Sequence, residues 1–176
     1  SLVLGSSEIT INNGSWNPST LSDTALEEGT STIFVKGDSD TSSFLGNSLT
    51  YNNVTFTTQN ILDASLTGTN SFNRLQIDKG LTLTVEPTTQ TMAQLIANGA
   101  CDKIIIIKSS GSGSSSNSIF SQVSGTTNTS YLDISNNIGT GGATFNADYS
   151  IDSGNNTGWN FTEISNLLVT INTGDV

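Results

Sequence analysis

The chain has no histidine, one cysteine, two prolines and five lysines and arginines among its 176 residues. Each shortage closes a class of function. Without histidine there is no Ser-His-Asp or Cys-His catalysis and no histidine-based zinc site. A single Cys101 forbids an internal disulfide and reads as a small, buried apolar side chain. Fifteen Asp and Glu against five basic residues leave a net charge of −10, which repels phosphate backbones and anionic membranes, so no nucleic-acid partner is expected. Long apolar runs are missing too. The longest, Ile104–Ile107, is far short of a membrane span, so no membrane insertion is expected. Charged residues make up only 11% of the chain. Its polarity comes from Ser, Thr, Asn and Gly, which favour turns and exposed strand faces over helix interiors. The chain starts at Ser1 with no Met and no charged–apolar–small leader. It reads as a processed form or a piece of a longer protein.

What is present is a repeat. The same apolar pair returns at Ile33/Val35, Val54/Phe56, Leu75/Ile77, Leu95/Ala97 and Leu132/Ile134, with steps of 21, 21, 20 and 37 residues. Members of a pair lie two residues apart, on one face of a strand. A fixed period of this length signals stacked repeats. Strands are expected at Glu8–Ile11, Thr32–Lys36, Leu49–Phe56, Ser71–Asp78, Leu81–Val85, Met92–Ala97, Ile104–Lys108 and Ser130–Ile134. The β-branched run Ile104–Lys108 suggests a strand covered on both faces. Thr20–Glu28 contains one helical turn at most. Ser109–Ser118 reads as a loop bulging from one rung. Leu167, Val169 and Ile171 alternate as a single late strand.

These spacings predict an all-β chain folded as a parallel β-solenoid of roughly eight short rungs, about 40 Å long at the spacing between strands. Val54, Leu75, Leu95 and Leu132 would form one interior ladder, and Phe56, Ile77, Ala97 and Ile134 a second. A β-sandwich also has short, evenly spaced strands. Copies that resemble one another in sequence, and only two Asn-Gly pairs, at Asn13-Gly14 and Asn98-Gly99, favour stacking over hairpins. The organisation is a solenoid over residues 1–161 and a strand or tail over 162–176 that caps the stack or leads into another domain.

The C-terminal stretch carries a recognisable order of motifs. Tyr131, Leu132 and Ile134 are followed by the turn Thr140–Phe145, then by Asp152, Gly154, Asn155, Asn156, Gly158, Trp159 and Phe161. Together with the upstream units from Ser31 onward, this resembles a β-helix repeat module of phage structural proteins (tail fibre, spike or decoration) and of bacterial surface adhesins. The resemblance implies a right-handed parallel β-helix and a non-enzymatic role on a virion or cell surface. It implies other virion or surface-assembly subunits as partners, a homo-oligomer with a trimer first, and a surface glycan as a further partner. It carries no catalytic residues, and no cofactor is expected.

Several groups invite a sharper function. Asp152–Asn156 is oxygen-rich, but it lacks the alternating carboxylates and final Glu of a calcium loop and reads as Asx turns. Asp38 and Asp40 raise the same idea. The carboxylate pairs Asp133/Asp148 and Asp78/Glu86 would make a polysaccharide-cleaving tail spike if they lay close on neighbouring rungs. Trp159 and Phe161 read as core closure, and Trp16 as the better candidate for an exposed aromatic. Asn13, Asn53, Asn128, Asn155 and Asn160 each begin an N-x-[ST] triplet, as composition alone predicts. Neither catalytic, cofactor-binding nor metal-binding residues are expected.

Overall fold

The computed structural model describes residues 1–12, 14–22, 25–36, 42–58, 63–111, 113 and 116–162. Among the described residues nineteen strands follow one another, and all their pairs are parallel. The first seven are β1 (Leu2–Val3), β2 (Glu8–Asn12), β3 (Ser15–Trp16), β4 (Leu26–Glu27), β5 (Thr32–Lys36), β6 (Ser42–Leu45) and β7 (Thr50–Phe56). They continue with β8 (Asp63–Thr67), β9 (Ser71–Ile77), β10 (Thr82–Val85), β11 (Thr89–Ala97), β12 (Ile105–Ser109) and β13 (Ser118–Ser121). The last six are β14 (Thr126–Ser130), β15 (Leu132–Ser135), β16 (Asn137–Thr140), β17 (Thr144–Asp148), β18 (Ile151–Asp152) and β19 (Trp159–Thr162).

Strands alternate between sheets along the chain, which makes the molecule a coil. One seven-stranded sheet runs β2-β5-β7-β9-β11-β13-β16 and the other β3-β6-β8-β10-β12-β15-β18. A three-stranded sheet, β14-β17-β19, covers the late rungs. The chain is a β-solenoid of about six turns. The expected eight is too many: Leu81–Val85 and Ile104–Lys108 fall in the second large sheet, where β10 and β12 share turns with strands of the first instead of making rungs of their own. At one strand spacing per turn the stack is about 30 Å long.

The interior is built from register. Ile33, Val54, Leu75 and Leu95 pair in sequence, as do Val35, Phe56, Ile77 and Ala97, and all eight are buried. Three members of each expected ladder therefore hold, and Ile33 and Val35 extend the ladders by a fourth rung. They do not continue into Leu132 and Ile134. Those two residues are buried, but they pair with Ile105 and Ile107 in the other large sheet. The bridge between Asn98 and Ser130 sets β14 beside the end of β11. In that register Thr127 and Thr129 follow Leu95 and Ala97, and below them come Phe145/Ala147 and Trp159/Phe161. The inward threonines stay dry because both hydroxyls are satisfied. Thr127 donates to the Gln122 side chain at 2.7 Å and Thr129 to the Asn146 carbonyl at 2.7 Å.

Other expectations shift by smaller amounts. β12 alternates buried and exposed residues rather than being covered on both faces. Leu26–Glu27, within the expected helical turn, is a strand, and the Ala25 amide donates to the Ser22 carbonyl just before it. Asn98-Gly99 does not centre a hairpin. A tight turn forms just after it, where Ala100 and Lys103 make an antiparallel bridge. Cys101, in that turn, is exposed and not buried. Between β12 and β13 the Ser109 hydroxyl donates to the Ser116 carbonyl at 2.6 Å, and residues 112, 114 and 115 of the expected loop lie outside the described residues. The alternating Leu167, Val169 and Ile171 lie outside the described residues, and Thr162 ends β19.

Candidate functional site at the first rungs

One cluster of aromatic residues lies towards the N-terminal end of the coil. Trp16 pairs with Phe44 across β3 and β6. The two rings stack at 6.3 Å with 14° between planes. Tyr51 closes on both edge-on, and Phe72 stacks on Tyr51 at 5.9 Å. A hydrogen-bond chain locks this column: the Trp16 indole N–H donates to the Tyr51 hydroxyl at 3.1 Å, and that hydroxyl donates to the Gly46 carbonyl at 2.7 Å. Phe44 and Tyr51 are fully buried, whereas Trp16 is half-buried. The sequence reading of Trp16 as the more exposed tryptophan agrees with this placement.

The segment after Trp16 forms a wall beside it. The Asn17 side-chain oxygen accepts the Ser19 amide at 3.1 Å, an Asx turn. The Leu21 amide closes on the Pro18 carbonyl at 2.8 Å. Asn47, held at φ 54°, reaches across from another rung and donates its side-chain amide to the Leu21 carbonyl at 3.0 Å. Between wall and ring lies a cavity of about 390 Å³, lined by Leu2, Trp16, Asn17, Pro18, Thr20 and Leu21.

Burial desolvates the Tyr51 phenolate and pushes the phenol's pKa up to about 12, while the hydrogen bond from Trp16 works the other way. The unfolded chain releases this proton near 10.0. Between those values the folded state holds the proton that the unfolded state has lost, so stability falls as pH rises. Denaturant titrations at roughly pH 9.5 and 11.5 should show a loss approaching about 2 kcal/mol from this group. Tyr51→Phe should flatten that part of the profile.

Trp159 is a different kind of residue. It is 8% exposed and packs on Phe145 at 5.1 Å. Its indole N–H donates to the Asn137 side chain at 2.8 Å, and Asn137 in turn donates to the Ser118 hydroxyl. Trp159 therefore closes the core, with half-buried Phe161 beside it.

The carboxylates named in the sequence each accept a hydrogen bond from a different neighbour. Asp133 sits on β15 and accepts the Ser153 hydroxyl at 2.5 Å. Asp148 ends β17, in another sheet, and accepts the Thr162 hydroxyl at 2.7 Å. Asp78 follows β9 and takes the Gln76 amide at 3.0 Å, whereas Glu86 follows β10 and takes the Gly68 amide at 2.7 Å. Each is bound to a neighbour of its own.

Asp152–Asn156 has the geometry of Asx turns. One Asp152 oxygen accepts the Gly154 amide at 2.9 Å and the Asn156 side chain at 2.6 Å. Asn156 also ties this loop to the previous rung through the Ile134 carbonyl and the Asn137 amide. Donors within the protein already engage these oxygens. A chelator should leave the melting temperature unchanged, and a clear drop would show a bound cation. Asp38 and Asp40 lie outside the described residues.

Two features passed unnoticed in the sequence. Tyr131 and Tyr149, at φ 54° and 52°, stack at 5.4 Å on the outside of a corner. Their signal was two Tyr eighteen residues apart, each following the last residue of a strand. An external ladder joins Asn128, Asn146 and Asn160 at 2.8 and 3.1 Å. Two of its members begin N-x-[ST] triplets; here their amides bridge rungs.

Compared with protein-family models, curated proteins and solved structures, the chain matches none of them.

Proposed function

We propose that the chain is a non-enzymatic structural module of a virion surface or tail, part of a phage fibre, spike or decoration protein. The observation that supports this reading is the continuous stacking of inward side chains from rung to rung. Each rung buries its apolar face only against its neighbours, so the coil is stiff along its axis. Its outer faces repeat a polar, weakly charged surface that suits packing beside copies or neighbouring subunits. The carboxylates bonded separately to local partners fit a scaffold better than a hydrolase, which needs two of them converging on one bond.

Sedimentation velocity on the purified chain tests the assembly. A homotrimer is the expected result. A monomer whose sedimentation does not change with concentration would contradict trimer formation and would leave only the decoration role.

A further inference from the structure

We propose that the cavity over Trp16 binds a neutral pyranose ring, stacked on the indole. This goes beyond the scaffold reading and does not depend on how the coil assembles. The floor is rigid before any ligand arrives. One indole face is occupied by Phe44, the N–H is committed to Tyr51, and the aromatic column beneath is buried. A preorganised surface spares the cost of ordering a side chain on binding. Around it Leu2, Pro18 and Leu21 supply apolar walls.

Ligand class follows from what lines the cavity. None of the six described residues that line it is charged, so a charged ligand would lose hydration without gaining a partner among them. The polar groups at the rim are the Thr20 hydroxyl and the Asn17 amide N–H groups, since the Asn17 oxygen already holds Ser19. Both residues are exposed, and so is Leu2. A wholly apolar ligand would leave part of its surface wet. A pyranose meets both conditions: its C–H face covers the indole, and its hydroxyls reach the rim and the water beyond.

The protein carries its own control. It has two tryptophans, and the Trp159 indole N–H is bonded to buried Asn137, well away from the cavity. Each gives a separate signal in a nitrogen-15 spectrum. Methyl β-glucoside, methyl β-galactoside and methyl β-N-acetylglucosaminide would be titrated to about 50 mM, enough to saturate a site with a Kd of a few millimolar. At least one should shift the Trp16 signal saturably while the Trp159 signal stays fixed. Leu2→Trp, at an already exposed position, should fill the cavity and abolish the shift. Thr20→Val should weaken binding by between about twofold and tenfold. An unmoved Trp159 signal shows that these variants are folded. The proposal is overturned if none of the three glycosides shifts Trp16, or if the shift survives Leu2→Trp. A response to 4-methylphenol alone would also overturn it, pointing to an aromatic side chain as the occupant.

Discussion

Replacing Leu75 by Asp should unfold the coil. Leu75 is fully buried between Val54 on one rung and Leu95 on the next. Truncation to Ala at such a site costs about 2–5 kcal/mol through lost contacts and the cavity left behind. A carboxylate adds the removal of a charge from water with no partner within the aliphatic ladder, several kcal/mol more. A domain of this size has only about 5–15 kcal/mol in reserve. Because each rung is stabilised by the rungs on either side, the damage should spread along the axis. Loss of the β signal in circular dichroism at room temperature is the expected readout. A variant that melts like the parent would place Leu75 outside the core.

Gly158→Val should be nearly as damaging, for a reason of backbone shape. Gly158 sits at φ 74°, and a Cβ added there would lie 1.9 Å from the Gly139 carbonyl oxygen. Two successive rungs pass so closely at this point that neither residue has room for a side chain. The left-handed backbone alone costs about 1–2 kcal/mol for a residue with a Cβ. Forcing the rungs apart also disturbs Trp159, the next residue, which fills the core there. A total loss of at least about 3 kcal/mol is expected, with faster amide exchange in β16–β19. Gly154→Ala is the control. Its φ is 102°, but a Cβ there meets nothing within 4 Å, so its cost should stay near the backbone term.

The two positions show why part of this fold was legible and part was not. Leu75 belongs to a run of inward residues that are all aliphatic or aromatic, so alternation in the sequence maps directly onto burial. The ladder was lost where the inward residues turn polar. Thr127 and Thr129 occupy the same face, but an apolar pattern passes over them and settles on Leu132 and Ile134, five residues later and in another sheet. Asn70 and Gln90 hide in the same way. Both are buried, with Asn70 donating to Gln90 at 3.0 Å and Gln90 to the Gly68 carbonyl at 2.6 Å. These bonds let the two amides enter a core, although the Asn70 side-chain oxygen is left without a partner, and nothing in local composition announces that Asn70 and Gln90 meet from twenty residues apart. The Trp16 cavity is a mixed case. The exposed aromatic was readable from its turn-rich surroundings. The wall was not, because Asn47 pins Leu21 from twenty-six residues away.

The proposed role is that of a stiff coil that holds on to other molecules and performs no chemistry on them. Its most direct test is to incubate the purified chain with soluble bacterial surface polysaccharide and follow the polymer's length by size-exclusion chromatography. An unchanged length distribution after prolonged incubation is the expected result. Shortened products that disappear in Asp133→Asn would contradict it and would make the chain a depolymerase.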